Sequence, residues 1–189
     1  CLSSAAERNE NIIYFCLDNE GYMNTGAQKS SSTPHYARTG TTPAGKLTRK
    51  KNLTEIMAAH QVPYAATASI GFLPDLVRKV EKAKSMRGLR IITLLVPCLD
   101  GWGLPDDGGL RAARYAVESG AFPLYEVEDG TQYTLNHTER SRPVSDYLAL
   151  QRRYRHLEAD AITNLQSEVD ESWTRLARQV ALGAPVLTQ

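Results

Sequence analysis

The chain has 189 residues, 42% of them hydrophobic, and 22 basic against 21 acidic side chains leave a net charge of +1. This length and composition suit one domain with its own core and exclude a chain disordered over most of its length. The near-neutral balance gives no electrostatic footprint for nucleic acid, and no stretch reaches the apolar length of a membrane span.

Cys1, Cys16 and Cys98 are the only cysteines, and no CxxC pair exists. Three thiols at irregular spacing do not make a disulfide framework, and they cannot complete a zinc or iron–sulfur site. A reducing compartment is the simplest context, so a cytoplasmic location is expected.

The first eight residues read as the end of a helix, as though the chain begins inside a βα unit. Residues 12–17, Ile-Ile-Tyr-Phe-Cys-Leu, read as a buried strand. Cys16 inside it reads as a core residue. At its carboxyl end comes the run Asp18-Asn19-Glu20-Gly21-Tyr22-Met23-Asn24-Thr25-Gly26. Open α/β sheets bind ligands beyond the carboxyl ends of their strands, so this is the first candidate binding loop. An Asn side-chain oxygen and a free backbone carbonyl are hard ligands of the kind Mg²⁺ accepts, and a loop that holds Mg²⁺ can hold a diphosphate. The same residues also make ordinary turns.

Residues 19–49 form a long Gly-, Ser-, Thr- and Pro-rich stretch, of the kind that is functional or disordered. Within it, Gly40-Thr41-Thr42-Pro43-Ala44-Gly45-Lys46 imitates a P-loop. Leu47 stands where the motif needs Ser or Thr, and no strand precedes it, so the likeness is rejected. The four basic residues between 46 and 51, and Arg152, Arg153 and Arg155, read as solvated faces.

Asn52 with Glu55 marks a helix start that runs to His60. A short strand follows over 64–67. The stripe Leu73, Leu76, Val77, Val80 and Ala83 predicts a helix, with Pro74 in its first turn. Residues 89–96 are apolar on both faces, as in a central parallel strand, and they end at Pro97-Cys98, a second candidate site. By sequence alone Cys98 reads as a buried thiol. Asp106 or Asp107 caps a helix over 109–119 that Gly120 closes. Residues 124–127 and 132–135 flank Glu128-Asp129-Gly130, a hairpin pattern. Beyond Ser145 the pattern is helical, with a seam of Ile162, Leu165, Val169, Trp173, Leu176 and Val180. Packing against its own domain and an interface with another subunit are both open for that seam. Alternating strands and helices predict an α/β fold with a mainly parallel sheet flanked by helices and a C-terminal helical tail.

Several of these segments together resemble a known family. They are residues 18–28 with Ser30-Ser31-Ser32-Thr33-Pro34, Thr41-Thr42-Pro43-Ala44-Gly45-Lys46, Ala58-Ala59-His60 with Pro63-Tyr64, and Ala66-Thr67-Ala68-Ser69. Leu94-Leu95-Val96-Pro97-Cys98 with Gly101-Trp102, and Phe122-Pro123-Leu124-Tyr125-Glu126, continue the likeness. This stretch is similar to the thiamine-diphosphate-binding beta subunit of 2-oxoacid:ferredoxin oxidoreductases, most of all the pyruvate type. The likeness covers roughly residues 1–130.

The resemblance implies a partial thiamine-diphosphate-binding domain over residues 1–142 and a helical tail over 143–189. It implies oxidative decarboxylation of pyruvate or a related 2-oxoacid to acyl-coenzyme A, with electrons leaving through iron–sulfur clusters to ferredoxin or a similar acceptor. Phenylglyoxylate- or oxalate-type activity, or a non-catalytic assembly role through the C-terminal seam, are the alternatives. The partners implied are alpha-, gamma- and delta-type subunits.

Position by position, the resemblance makes Asn19 (side chain) and Gly21 (carbonyl) ligands of the Mg²⁺ that clamps the cofactor diphosphate. Asp18, Tyr22 and Thr25 belong to the same cofactor loop. Asn24 is the amide facing thiazolium and substrate, and Cys98 is one ligand of a [4Fe–4S] cluster. The Gly-Asp-Gly turn and three further cysteines that the family places upstream are not among these 189 residues. His35 is given no chemistry, and Trp102 beside Cys98 reads equally as a shield of the cluster from water, which would tune its potential, or as ordinary packing.

Overall fold

The computed structural model describes residues 1–183; the last six residues of the predicted tail, 184–189, lie outside it. Five strands form one sheet in the order β1-β3-β2-β4-β5. β1 (Ile13–Asp18), β3 (Arg90–Leu95) and β2 (Tyr64–Ser69) are parallel. β4 (Tyr125–Glu128) runs antiparallel to β2, and β5 (Gln132–Leu135) pairs antiparallel with β4. The sheet is therefore mixed and mostly parallel, as expected. The hairpin turn falls at Asp129 (φ 49°) and Gly130 (φ 71°), where the Asp-Gly pair accepts left-handed backbone at low cost.

Helices cover both faces. α3 (Leu73–Ser85) packs Leu76, Val80 and Ala83 on Tyr64, Ala66, Ala68 and Ile92. The opposite face carries α1 (Leu2–Glu7) and α2 (Leu53–Ala59), whose Met57 and Ala58 meet Ala65, Ile91 and Tyr125. The Asn52 side chain accepts from the Glu55 amide, which is the predicted cap. α4 (Leu99–Trp102) is one short turn after β3. α5 (Gly109–Glu118) buries Ala112, Ala116 and Val117, with Gly108 at its N-cap and no side-chain cap, so neither Asp106 nor Asp107 fills that role.

α6 (Val144–Ala149) and a 3₁₀ turn (Arg152–Tyr154) lead into α7 (Ala159–Gly183). The α7 seam is largely spent inside the domain. Leu165, Trp173 and Leu176 are buried, and Ile162 and Val169 pack against the same core as Val144, Tyr147 and Leu148. Trp173 also donates its ring N–H to the Gly120 carbonyl at 3.0 Å. Packing on its own domain thus accounts for the periodicity, and the alternative of an assembly fragment built on this seam loses its surface.

β1 corrects an expectation. It is an edge strand among the described residues, with β3 its sole sheet neighbour, and Phe15 (41%) and Leu17 (63%) stand exposed. An apolar run reports hydrophobicity and not position in a sheet. Cys16 is correspondingly only half-buried.

Under α3 the Lys79 side chain is fully buried, donating to the Thr67 carbonyl and to Asp75, both at 2.7 Å. Burial pulls its ammonium down to about 8 despite Asp75 and Glu126 nearby. The folded chain therefore holds fewer protons than the unfolded one between about pH 8 and 10.5, and stability rises with pH in that window. Relative to Lys79→Met, the wild type is expected to gain on the order of 3 kcal/mol from pH 7.5 to 10.5 in urea melts. Parallel curves for the two proteins would contradict this.

Candidate functional site

The parallel register places Asp18, the last residue of β1, beside Leu95, the last of β3. The loop after β1 and the turn after β3 therefore emerge side by side at the carboxyl edge of the sheet. The sheet thus brings the two sequence-predicted sites together.

The loop is held carbonyl by carbonyl. The Asp18 carbonyl accepts from the Val96 amide at 3.0 Å. The Asn19 carbonyl accepts the ring N–H of Trp102 at 2.8 Å, and the Glu20 carbonyl accepts the Thr33 hydroxyl at 2.9 Å. Tyr22 and Gln28 exchange backbone bonds at 3.0 and 3.2 Å, and the Met23 carbonyl takes the amides of Gly26 and Ala27. Among the described residues, the Gly21 carbonyl accepts no hydrogen bond. The Asn19 side-chain oxygen accepts only a long bond from the Gly21 amide, 3.3 Å. The two atoms that the resemblance singles out as metal ligands are thus among the under-used acceptors of the loop, and both are hard oxygens suited to Mg²⁺.

Asp18 is buried and its carboxylate meets Lys50 Nζ at 2.6 Å. It also accepts the Glu20 amide at 3.1 Å, so it braces the loop from inside. Tyr22 (63% exposed), Asn24 and Thr25 stand on the outer surface. Thr25 bonds Gln28, whereas the Asn24 amide has no hydrogen-bond partner among the described residues.

Sequence reasoning missed a buried charge cluster behind the loop. In sequence, Glu20 reads as a loop residue, and Lys50 and Arg153 read as solvated ones. The Glu20 carboxylate contacts Lys50 at 2.7 Å and forms an ion pair with Arg153. Arg153 stacks 4.1 Å from the ring centre of Trp102. Burial pushes the Glu20 carboxyl up, but the charges of Lys50 and Arg153 outweigh it and hold the group below the usual carboxylate range. Burial likewise lowers Lys50, and Glu20 and Asp18 reverse the direction. Charges 133 residues apart leave no spacing pattern, so no sequence signal could have found this cluster. Lys46 is also buried, giving its ammonium to the carbonyls of Ser31, Thr33 and Arg49. It is a strut of the loop, which agrees with rejecting the P-loop likeness.

Cys98 begins α4 and its sulfur accepts the Gly101 amide at 3.4 Å. A Cβ on Gly101 would overlap the Met23 thioether and lie 3.4 Å from the Cys98 sulfur. Loop and thiol are therefore neighbours, separated by one methionine side chain. An amide directed at sulfur suits a thiolate ligand, but no group of three or more Cys, His, Asp or Glu side chains that could hold a metal ion is present among the described residues. This chain supplies one thiol and no cluster site by itself. Cys16 differs: burial, then Asp18, pushes its thiol up, which keeps it protonated and unreactive.

A cleft of about 360 Å³ runs from Asp18, Glu20 and Lys50 along the sheet face, past Cys16, Thr67 and Thr93, to Leu165 and Leu176. Asn19 and residues 21–25 are not among its walls. They form an open shelf at its end.

The family described as "Thiamine pyrophosphate enzyme, C-terminal TPP binding domain" matches residues 1–94. Pyruvate synthase subunit PorB of Methanocaldococcus jannaschii is 48% identical over 175 residues, covering 90% of this chain and 59% of its own length. Ketoisovalerate oxidoreductase subunit VorB of Pyrococcus furiosus is 41% identical over 185 residues, covering 94% and 59%. This chain thus spans about three-fifths of the length of the curated relatives it matches. A solved structure of 2-oxoglutarate:ferredoxin oxidoreductase from Magnetococcus marinus shares the fold, with a TM-score of 0.53 at 19% identity over 87% of this chain and 61% of that one. No helix among the described residues is long and apolar enough to cross a membrane. Residues 1–94 thus match a thiamine-pyrophosphate-binding domain, and over nine-tenths of its length the chain is similar to B subunits of 2-oxoacid oxidoreductases.

Proposed function

We propose that this chain is the cofactor-gripping part of the beta subunit of a 2-oxoacid:ferredoxin oxidoreductase of the pyruvate type. The observation that carries the reading is the loop at the carboxyl end of β1, in a segment that matches a thiamine-pyrophosphate-binding domain, where the Gly21 carbonyl accepts no hydrogen bond and the Asn19 side-chain oxygen accepts only a long one.

In this reading Asn19 and Gly21 hold the Mg²⁺ that binds the diphosphate of thiamine diphosphate. Mg²⁺ commonly takes few protein oxygens and completes its shell with phosphate and water, so two ligands from this chain fit the count. Asp18, pinned by Lys50, keeps the loop's root in place. Tyr22 and Thr25 line the shelf. When bound, thiamine diphosphate supplies the carbon nucleophile and electron sink that decarboxylation of a 2-oxoacid requires. The unpartnered Asn24 amide donates a hydrogen bond to the substrate carbonyl oxygen as negative charge grows there. Cys98 supplies one thiolate to a [4Fe–4S] cluster, and the other ligands come from outside residues 1–183.

The shelf is open, so its second wall comes from another polypeptide, in line with relatives named as subunits. Alpha-, gamma- and delta-type subunits, coenzyme A as acyl acceptor and ferredoxin as electron acceptor complete the proposal. Residues 1–142 then carry the cofactor site, and residues 143–183 brace it through α6, the 3₁₀ turn and α7.

The test is reconstitution with partner subunits and assay of viologen reduction with pyruvate and with 3-methyl-2-oxobutanoate. Pyruvate is expected to be the better substrate, following the higher identity to the pyruvate synthase subunit. Asn19→Ala is expected to raise the thiamine diphosphate KM by at least about tenfold, since even groups that only support a metal ligand are worth 10–100-fold. Turnover that needs no thiamine diphosphate would overturn the function, and an unchanged cofactor KM would remove Asn19 from the site.

A further inference from the structure

Glu20 sits between the two proposed ligands, and its backbone is in the left-handed region at φ 66°. Non-glycine residues adopt this conformation at a cost and keep it when their surroundings over-determine it. Here the surroundings do so. One carboxylate oxygen of Glu20 takes Lys50 at 2.7 Å and the other takes Arg153. Arg153 is itself fixed by the Gln151 side chain at 2.8 Å and by the rings of Trp102 and Tyr154. Lys50 is tied at its other side to Asp18. The Glu20 carbonyl is pinned by Thr33 and the Asn19 carbonyl by Trp102.

We propose that Arg153 and Lys50 are positioning residues for the metal–diphosphate loop. By clamping Glu20 from two sides they set the Asn19 amide oxygen and the Gly21 carbonyl in place before any metal arrives. The inference rests on the reading of this loop as the Mg²⁺-diphosphate grip, and deepens it. It also gives the C-terminal segment a part in the site.

Two physical arguments support a positioning role over plain stability. A buried charge cluster is often matched or bettered in stability by apolar residues of similar volume, so its presence is weak evidence for a stabilising purpose. The strain also lies at the one residue whose φ and ψ aim both ligands. A rotation about the Glu20 Cα bonds swings Asn19 and Gly21 in opposite senses, and ligand sites held within about 0.5 Å need such outside support.

The experiment uses the enzyme assembled with its partner subunits. Thiamine diphosphate binding is measured calorimetrically in Mg²⁺, with cofactor KM, kcat at saturating cofactor, and melting temperature of the cofactor-free enzyme. Lys50→Met and Arg153→Met are expected to weaken binding about 10–100-fold, with kcat falling by less than the cofactor KM rises. Arg153→Lys is expected to fall between, since it keeps the charge but loses the planar stack and fork. Wild-type affinity in both Met variants alongside a lowered melting temperature would overturn the inference. Asn19→Ala separates the two levels. If it weakens binding while both Met variants do not, this inference fails and the loop reading stands; if it too binds normally, the loop reading fails. Should Arg153→Met not assemble, Lys50→Met, whose side chain is one-quarter exposed, decides by the same criteria.

Discussion

Glu20→Ala is expected to destabilise the chain by about 3–5 kcal/mol, the range for removing one partner of a buried ion pair. Arg153 would keep its charge against Trp102 with no carboxylate to meet it, because its other side-chain partner is neutral Gln151. Lys50 would suffer less, since Asp18 remains. Glu20→Gln fills the same volume and retains a carbonyl acceptor, so it is expected to cost less than Glu20→Ala. The pH dependence follows from the sign of the shift. Glu20 is held below its unfolded value, so its contribution is fully present above about pH 4.3, the ordinary glutamate value, and is lost as pH falls through the folded value. Denaturant melts at pH 7 and pH 3 check this: the gap between wild type and Glu20→Gln should shrink at the lower pH. A gap that widens would show that the carboxylate is not the stabilising form.

The second large effect concerns chemistry. Asn24→Ala in the assembled enzyme is expected to lower kcat about 10²–10³-fold, the usual result of removing one donor to a developing oxyanion. Cofactor affinity should change little, because Asn24 makes no hydrogen bond that shapes the loop and its side chain is exposed. That split distinguishes it from Asn19, for which the loss is expected in cofactor binding. Single-turnover decarboxylation with saturating thiamine diphosphate measures it, and an unchanged rate would remove Asn24 from the chemistry.

Local patterns carried much of the fold. The Asn52 cap, the α3 stripe, the two-faced apolar run of β3 and the Asp-Gly hairpin are each written in a few adjacent residues, and each appears in the structure. The α7 seam was legible as a period but not as a partner, since 3.6-residue spacing reads the same against one's own core or another chain. β1 failed for a related reason. Ile-Ile-Tyr-Phe-Cys-Leu fixes an extended, apolar strand and leaves open whether anything covers it.

The candidate site divided along the same line. Asn19, Gly21 and Cys98 are legible as candidates because contiguous motifs carry them, and the sheet register places both motifs at one edge. The supporting shell was not found, because it exists only after folding. Lys50 lies in a basic run that reads as solvated, and Arg153 in another. Closure of the 3₁₀ turn onto the loop makes Arg153 the buried partner of Glu20, and the one-quarter-exposed Lys50 reaches the other carboxylate oxygen. The loop's strain was equally hidden, since a glutamate before a glycine gives no warning of a positive φ.

The most direct test of the central claim is the anomalous scattering of Mn²⁺ substituted for Mg²⁺ in crystals of the assembled enzyme with thiamine diphosphate. The account predicts one peak on the shelf after β1, within about 2.3 Å of both the Asn19 side-chain oxygen and the Gly21 carbonyl, close to the octahedral distances such ions require. A diphosphate-bound peak away from these two oxygens would contradict it.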